Sequence, residues 1–174
     1  MSNGFEEAKA RRNWLERLGA KIPGFGGFKD RELRRDVDRL QREHLAGEIG
    51  ALKRRLRDKA RAFTDAGEIA ALTPFDRLDR RLDGFEQAVR FADYGASGFF
   101  DAVKIYEEEL DKLYQFDLSL LDDLAALGGD VAAVPPPGAG DPAPALAAVA
   151  ERLAALEDKW NGRERVIGGV VQTS

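Results

Sequence analysis

Apolar residues recur at steps of three and four along several stretches of this chain, and a period-two alternation persists in none. The longest series is Leu33, Val37, Leu40, Leu45, Ile49, Leu52, Leu56, Ala60 and Phe63. It predicts a helix from about Arg31 to Asp65, with Asp30 as its N-cap. Leu45 with Leu56, Ile49 with Ala60 and Leu52 with Phe63 repeat at eleven residues, close to the period of a straight helix, so no left-handed supercoil is required. Gly47 and Gly50 interrupt this helix and mark either a kink or a close approach of a neighbour. Upstream, Phe5, Ala8, Leu15 and Leu18, with Trp14 at the edge, predict a shorter helix over about Glu6–Leu18. The segment Ile22-Pro23-Gly24-Phe25-Gly26-Gly27-Phe28 breaks it with a loop anchored by aromatic side chains.

Thr73-Pro74 reads as an N-cap followed by proline at the first helical position. Phe75, Leu78, Leu82, Phe85 and Val89 then extend a third helix as far as Tyr94-Gly95. Ser97 opens a fourth, with Phe99, Val103, Tyr106, Leu110, Leu113, Leu120, Leu124 and Leu127, which Gly128-Gly129 is expected to stop. Residues 130–142, rich in Pro, Ala and Gly, read as a linker. Leu146, Val149, Leu153, Leu156 and Trp160 follow at heptad steps and predict a fifth helix.

The expected fold is all-α. It is an elongated antiparallel bundle of three long helices, with a short N-terminal helix and a linker-tethered C-terminal helix. The expected divisions are a core over 1–127, a linker over 128–142, and a C-terminal helix and short tail over 143–174. A chain of 174 residues with 44% apolar and 33% charged content can bury such a core behind charged outer faces. No apolar run suits a signal peptide or a membrane span, so the expected location is cytoplasmic.

Charge changes the picture more than composition does. Residues 1–61 hold 17 Lys and Arg against 10 Asp and Glu, whereas 62–174 hold 10 against 21. The densest basic stretch supplies Lys53, Arg54, Arg55, Arg57, Lys59 and Arg61 as candidates for binding an anionic surface. The alternative is that these cations face acidic residues of the same chain, with the fourth helix as the expected partner. Phospholipid headgroups suit the stretch better than nucleic acid, because the chain as a whole is acidic and carries no zinc-finger or basic-zipper pattern. Lys9, Arg11, Arg12 and Arg17 around Trp14 add a candidate interfacial helix, although Ile22, Phe25 and Phe28 extend its apolar face into the loop and favour docking on the bundle instead.

Catalytic chemistry finds little to stand on. There is no cysteine, and His44 is the single histidine, with Glu43 and Glu48 nearby but no second Glu-x-x-His pair for a di-metal bundle. The glycine loop before Lys29 lacks a P-loop ending and a preceding strand. Glu107-Glu108-Glu109, with Asp111, fans around a helix and does not converge. Gly95-Ala96-Ser97-Gly98 is not a nucleophile elbow. No catalytic residue, metal ligand or cofactor is therefore assigned.

Three stretches resemble an uncharacterised family of small bacterial helical proteins. They are Ile22–Glu32, Tyr94-Gly95-Ala96-Ser97-Gly98-Phe99-Phe100-Asp101-Ala102-Val103-Lys104 and Glu109–Tyr114, within about residues 20–120. That resemblance implies a helical fold and no activity. The functional expectation is a non-enzymatic scaffold or adaptor that meets a protein partner, or a second copy, through helix packing. The seam Leu146, Val149, Leu153, Leu156 and Trp160 is the candidate partner surface. A peripheral membrane-surface role is the first alternative, and a helical-bundle enzyme or metal-binding protein is the last.

Overall fold

The computed structural model describes Ala20, residues 31–92 and residues 107–171; for 31–38, 107–114 and 164–171 it describes the backbone alone. Among these residues the fold is all-α. The elements are α1 (Arg31–Asp65), a short 3₁₀ helix (Ile69–Ala71), α2 (Leu72–Arg90), α3 (Glu107–Ala133) and α4 (Ala143–Val171), with no strand. The expected helix over 6–18, the Ile22–Phe28 loop, the Asp30 cap, the Tyr94-Gly95 end and the Ser97 cap lie outside the described residues. The chain forms two compact units. One comprises Met1–His44, Asp93–Ser119 and Arg163–Ser174; the other, unit 2, comprises Leu45–Ala92 and Leu120–Gly162.

α1 ends at Asp65, where its apolar series predicts, and the chemistry of that end is a Schellman motif. Gly67 adopts φ +76°, which a side chain would resist. Its N–H donates to Thr64 O at 3.0 Å, and Glu68 N–H donates to Phe63 O at 2.9 Å, so the last carbonyls of the helix are satisfied. Phe63 itself is fully buried and packs against Phe75 of α2, ring centroids 5.3 Å apart. Of the two expected glycines, Gly50 is buried where α2 comes close: a Cβ there would sit 3.5 Å from the Glu86 carboxylate. Gly47 has open space beside it.

Two expected boundaries are corrected. Thr73 is not the cap of α2, because the 3₁₀ turn runs straight into the helix and Leu72 N–H donates to Ile69 O. Ala71 takes the cap position with no side-chain hydrogen bond, and Pro74 falls inside the first turn, where a missing N–H leaves no intrahelical bond unmade. Nor does Gly128-Gly129 stop α3, which continues to Ala133, so the expected 128–142 linker begins inside a helix. Leu127 and Val131 on either side of the glycines are fully buried. Burial of that stripe outweighs the roughly 1 kcal/mol that each glycine costs in a helix.

In unit 2 the core is drawn from all four helices. Leu45, Ile49, Leu52, Leu56 and Phe63 of α1, and Phe75, Leu78, Leu82, Phe85 and Val89 of α2, are buried. So are Leu120, Leu124, Leu127 and Val131 of α3, and Leu146, Val149, Leu153, Leu156 and Trp160 of α4. α1 and α2 run in opposite chain directions, as Lys53 reaches Asp83 and Arg57 reaches Asp79. α3 and α4 are likewise opposed, with Asp130 reaching Arg152 and Asp123 reaching Lys159. α4 starts cleanly: the Asp141 carboxylate accepts from Ala143 N–H at 2.9 Å, and Pro142 O accepts from Leu146 N–H at 3.0 Å.

Candidate functional site

The six cations of the basic stretch lie on one helix, and a 100° turn per residue sends them in different directions. Lys53 and Arg57, one turn apart, point towards α2. Lys53 Nζ donates to Asp83 Oδ1 at 2.6 Å and to Glu86 Oε2 at 2.8 Å. Both the Lys53 and Glu86 side chains keep only 13% of their surface exposed. Glu86 also accepts from Arg90 Nη2 at 2.9 Å. Arg57 grips Asp79 with two bonds, Nε to Oδ1 at 2.6 Å and Nη2 to Oδ2 at 2.9 Å. These contacts raise the Lys53 ammonium pKa, first through the hydrogen bond to Asp83 and then through that to Glu86. The hydrogen bond from Lys53 holds Asp83 and Glu86 below the ordinary carboxylate range, and the Asp79 hydrogen bond raises Arg57.

The acidic partners of Lys53 and Arg57 are therefore on α2, whereas the fourth helix had been the expected partner and the side chains of its acidic run lie outside the described residues. The reason is angular: Asp79, Asp83 and Glu86 line the flank of α2 nearest α1, at the three-four spacing that keeps them on one side. Lys59 serves the end of α3. Its Nζ donates to Val134 O at 2.7 Å and to Ala132 O at 3.3 Å, carbonyls that the end of the helix leaves without intrahelical donors. Arg54, Arg55 and Arg61 remain exposed. Arg55 stands at a groove of about 350 Å³ between α1 and α3, with Glu48, Ala51, Ala125, Gly128 and Gly129 also lining it.

The five residues of the α4 seam are 0–9% exposed and face the chain's own helices. Trp160 meets Phe85 edge-on, centroids 6.5 Å apart. Arg81 of α2 donates to Glu157 Oε2 at 2.6 Å and to Ala150 O at 3.2 Å, tying α4 down from the side. What these helices leave outside differs sharply. α1 exposes Arg54, Arg55, Arg57, Asp58, Arg61 and Asp65. α3 exposes Asp122 and then Ala125, Ala126, Gly129, Ala132 and Ala133 in unit 2, and α4 exposes Ala147, Ala148 and Ala155 beside Glu151, Arg152 and Asp158.

His44 is half-buried with Glu43 exposed beside it. Among the described residues no group of three or more His, Cys, Asp or Glu side chains is placed to hold a metal ion. No described helix is long and apolar enough to cross a membrane. The glycine-rich stretch before Lys29, residues 95–98, the side chains of Glu107–Asp111 and the residues around Trp14 lie outside what is described.

Sequence reasoning passes over one feature entirely. Asp117 and Arg163 are buried and joined by two hydrogen bonds of 2.8 and 3.0 Å. The signal is present as a gap: the apolar steps of α3 jump seven residues from Leu113 to Leu120, and Asp117 occupies the missing place. No family model matches the chain, and no curated protein or solved structure does either. This agrees with a resemblance that carries no activity.

Proposed function

We propose that the chain is a non-enzymatic helical scaffold or adaptor that meets a protein partner through helix packing. The supporting observation is the contrast of outer surfaces in unit 2. With the apolar seam of α4 used internally, the surface best suited to another helix is the alanine- and glycine-bearing face of α3 and α4. Small side chains let backbones approach closely, and they lose little rotamer freedom on docking. The charged face of α1 and α2 would keep the opposite side solvated. Antiparallel laying of neighbouring helices, as within each of the two ion-paired hairpins, supplies a rigid frame for such a face.

A peripheral membrane role would rest on Arg54, Arg55 and Arg61, since Lys53, Arg57 and Lys59 are engaged within the protein. The scaffold reading is tested by affinity capture from host cells under matched expression. The double variant Ala126→Lys, Ala148→Lys, with its helical circular dichroism intact, is expected to lose partners that the parent protein retains. Sedimentation with anionic vesicles at physiological salt, lost when Arg54, Arg55 and Arg61 are replaced by glutamate, would favour the membrane role instead.

A further inference from the structure

The groove of about 350 Å³ between α1 and α3 is one flank of the small-residue face. Two of its lining residues, Ala125 and Gly129, are exposed on that face. The other wall belongs to α1, which supplies Ala51 and, on either side of it along the helix, Glu48 and Arg55. α1 and α3 run in the same chain direction here. The Arg55 guanidinium lies 3.8 Å from where a Gly128 Cβ would stand, and Lys59, one turn further on, reaches Val134 O. A helix laid along Ala125 and Gly129 therefore follows α1 as well, with Glu48 and Arg55 along one edge.

Neither the charges nor the glycines of this groove serve the chain's own packing. Glu48 and Arg55 are exposed, and among the described residues neither forms an ion pair or a side-chain hydrogen bond. Their neighbours on α1 behave differently: Lys53 and Arg57 are bound to α2, and Lys59 to the end of α3. A Cβ at Gly129 would meet nothing within 4 Å, and one at Gly128 would make ordinary contacts with Arg55 and Leu52. Alanine would favour the helix at both places, so packing inside the protein does not call for glycine there. A backbone approached closely from outside does.

We propose that the partner of the α3 face is a helix carrying a basic and an acidic side chain two turns apart, the base meeting Glu48 and the acid meeting Arg55. The inference rests on the scaffold reading and adds the partner's chemistry and orientation to it. Seven residues of helix rise about 10 Å, which is the spacing of Glu48 and Arg55 along α1, so positions i and i+7 of the partner match it. Opposite charges along the groove make one direction of such a helix attractive and the reverse repulsive. Edge charges of this kind decide which partner binds, and which way round, more than how tightly. The small side chains of α3 bring the partner's backbone near enough for those charges to meet.

The test uses the full chain in host cells, with a photo-cross-linking probe at Ala126 and charge changes on α1. Glu48→Arg and Arg55→Glu should each lower the yield of a discrete adduct several-fold. The double variant Glu48→Arg, Arg55→Glu keeps the parent's net charge and should lower the yield further. Arg54→Glu makes the same charge change one residue away, turned about 100° from Arg55 and outside the groove lining, and should leave the yield unchanged. Helical circular dichroism checks that each variant is folded; where one is not, Glu48→Gln or Arg55→Gln takes its place. Mass spectrometry of the adduct should locate the cross-link in a segment where Lys or Arg stands seven positions from Asp or Glu. An adduct that persists in the double variant, that falls equally with Arg54→Glu, or that maps to a segment without such a pair overturns the inference and leaves the scaffold reading standing. No adduct from Ala126 in the parent protein would remove both.

Discussion

The α1–α2 and α3–α4 hairpins of unit 2 solve one packing problem with different outer surfaces. Each joins two helices antiparallel, buries a three-four stripe, and braces its seam with ion pairs: Lys53 and Arg57 in the first, Arg152 and Lys159 in the second. Outside the seam they diverge. α1 is studded with arginine and aspartate, while α3 shows mostly alanine and glycine. Burial alone would be met by either surface; charge on an outer face resists association, and small apolar side chains permit it.

The largest effects should show whether the two hairpins share a core. Leu82→Ala on α2 and Leu153→Ala on α4 each empty a fully buried position, and each should cost about 2–5 kcal/mol in denaturant unfolding. A loss below about 1 kcal/mol for Leu153→Ala alone would mean that α4 is not part of the core, and the comparison would fail.

The α1–α2 seam should respond to pH through Lys53, Asp83 and Glu86. Asp83 and Glu86 have folded-state pKa values below their unfolded ones. Their contribution is therefore complete above the ordinary carboxylate range, and it is lost as pH falls through the lowered folded values. Lys53 is raised, so its contribution is present below its ordinary pKa and is lost as pH rises through the raised value. Lys53→Met should lower stability at neutral pH and flatten the acid limb of a stability–pH curve below about pH 4, near the ordinary carboxylate value. An unchanged acid limb would show that the seam holds without these contacts.

Glycines give the next, smaller contrast. A Cβ added at Gly129 would meet nothing within 4 Å, so Gly129→Ala should stabilise the protein by up to about 1 kcal/mol. Gly67→Ala should destabilise it by about 1 kcal/mol or more, because φ +76° suits no ordinary side chain. Thermal melts of the two variants moving in the same direction would contradict the assignment of helix interior to one and helix terminus to the other. Smallest of all, Arg54→Glu on the exposed face of α1 should stay within about 0.5 kcal/mol of the parent.

The same contrast explains what can be read in advance. The end of α1 is legible at Asp65 because periodicity and a turn glycine agree there. The end of α3 misleads because Gly128-Gly129 resembles a stop, and only the burial of Leu127 and Val131 shows that the helix goes on. Lys53 and Arg57 are legible as charges but not as partners of α2, since which flank faces which helix is a tertiary fact. The seam of α4 is legible as apolar, yet a heptad pattern does not distinguish a foreign helix from the chain's own. The buried Asp117–Arg163 pair is written as a break in the stripe of α3, and breaks are easily passed over when a pattern is sought.

The central claim is that partners approach the α3–α4 face. Site-specific photo-cross-linking in host cells tests it most directly, with the probe at Ala126 or Ala148 in one set and at Arg54 or Arg80 in the other. The account predicts a discrete cross-linked species, the same from Ala126 and Ala148, and none from Arg54 or Arg80. Discrete adducts from the arginine positions, with none from the alanines, would contradict it.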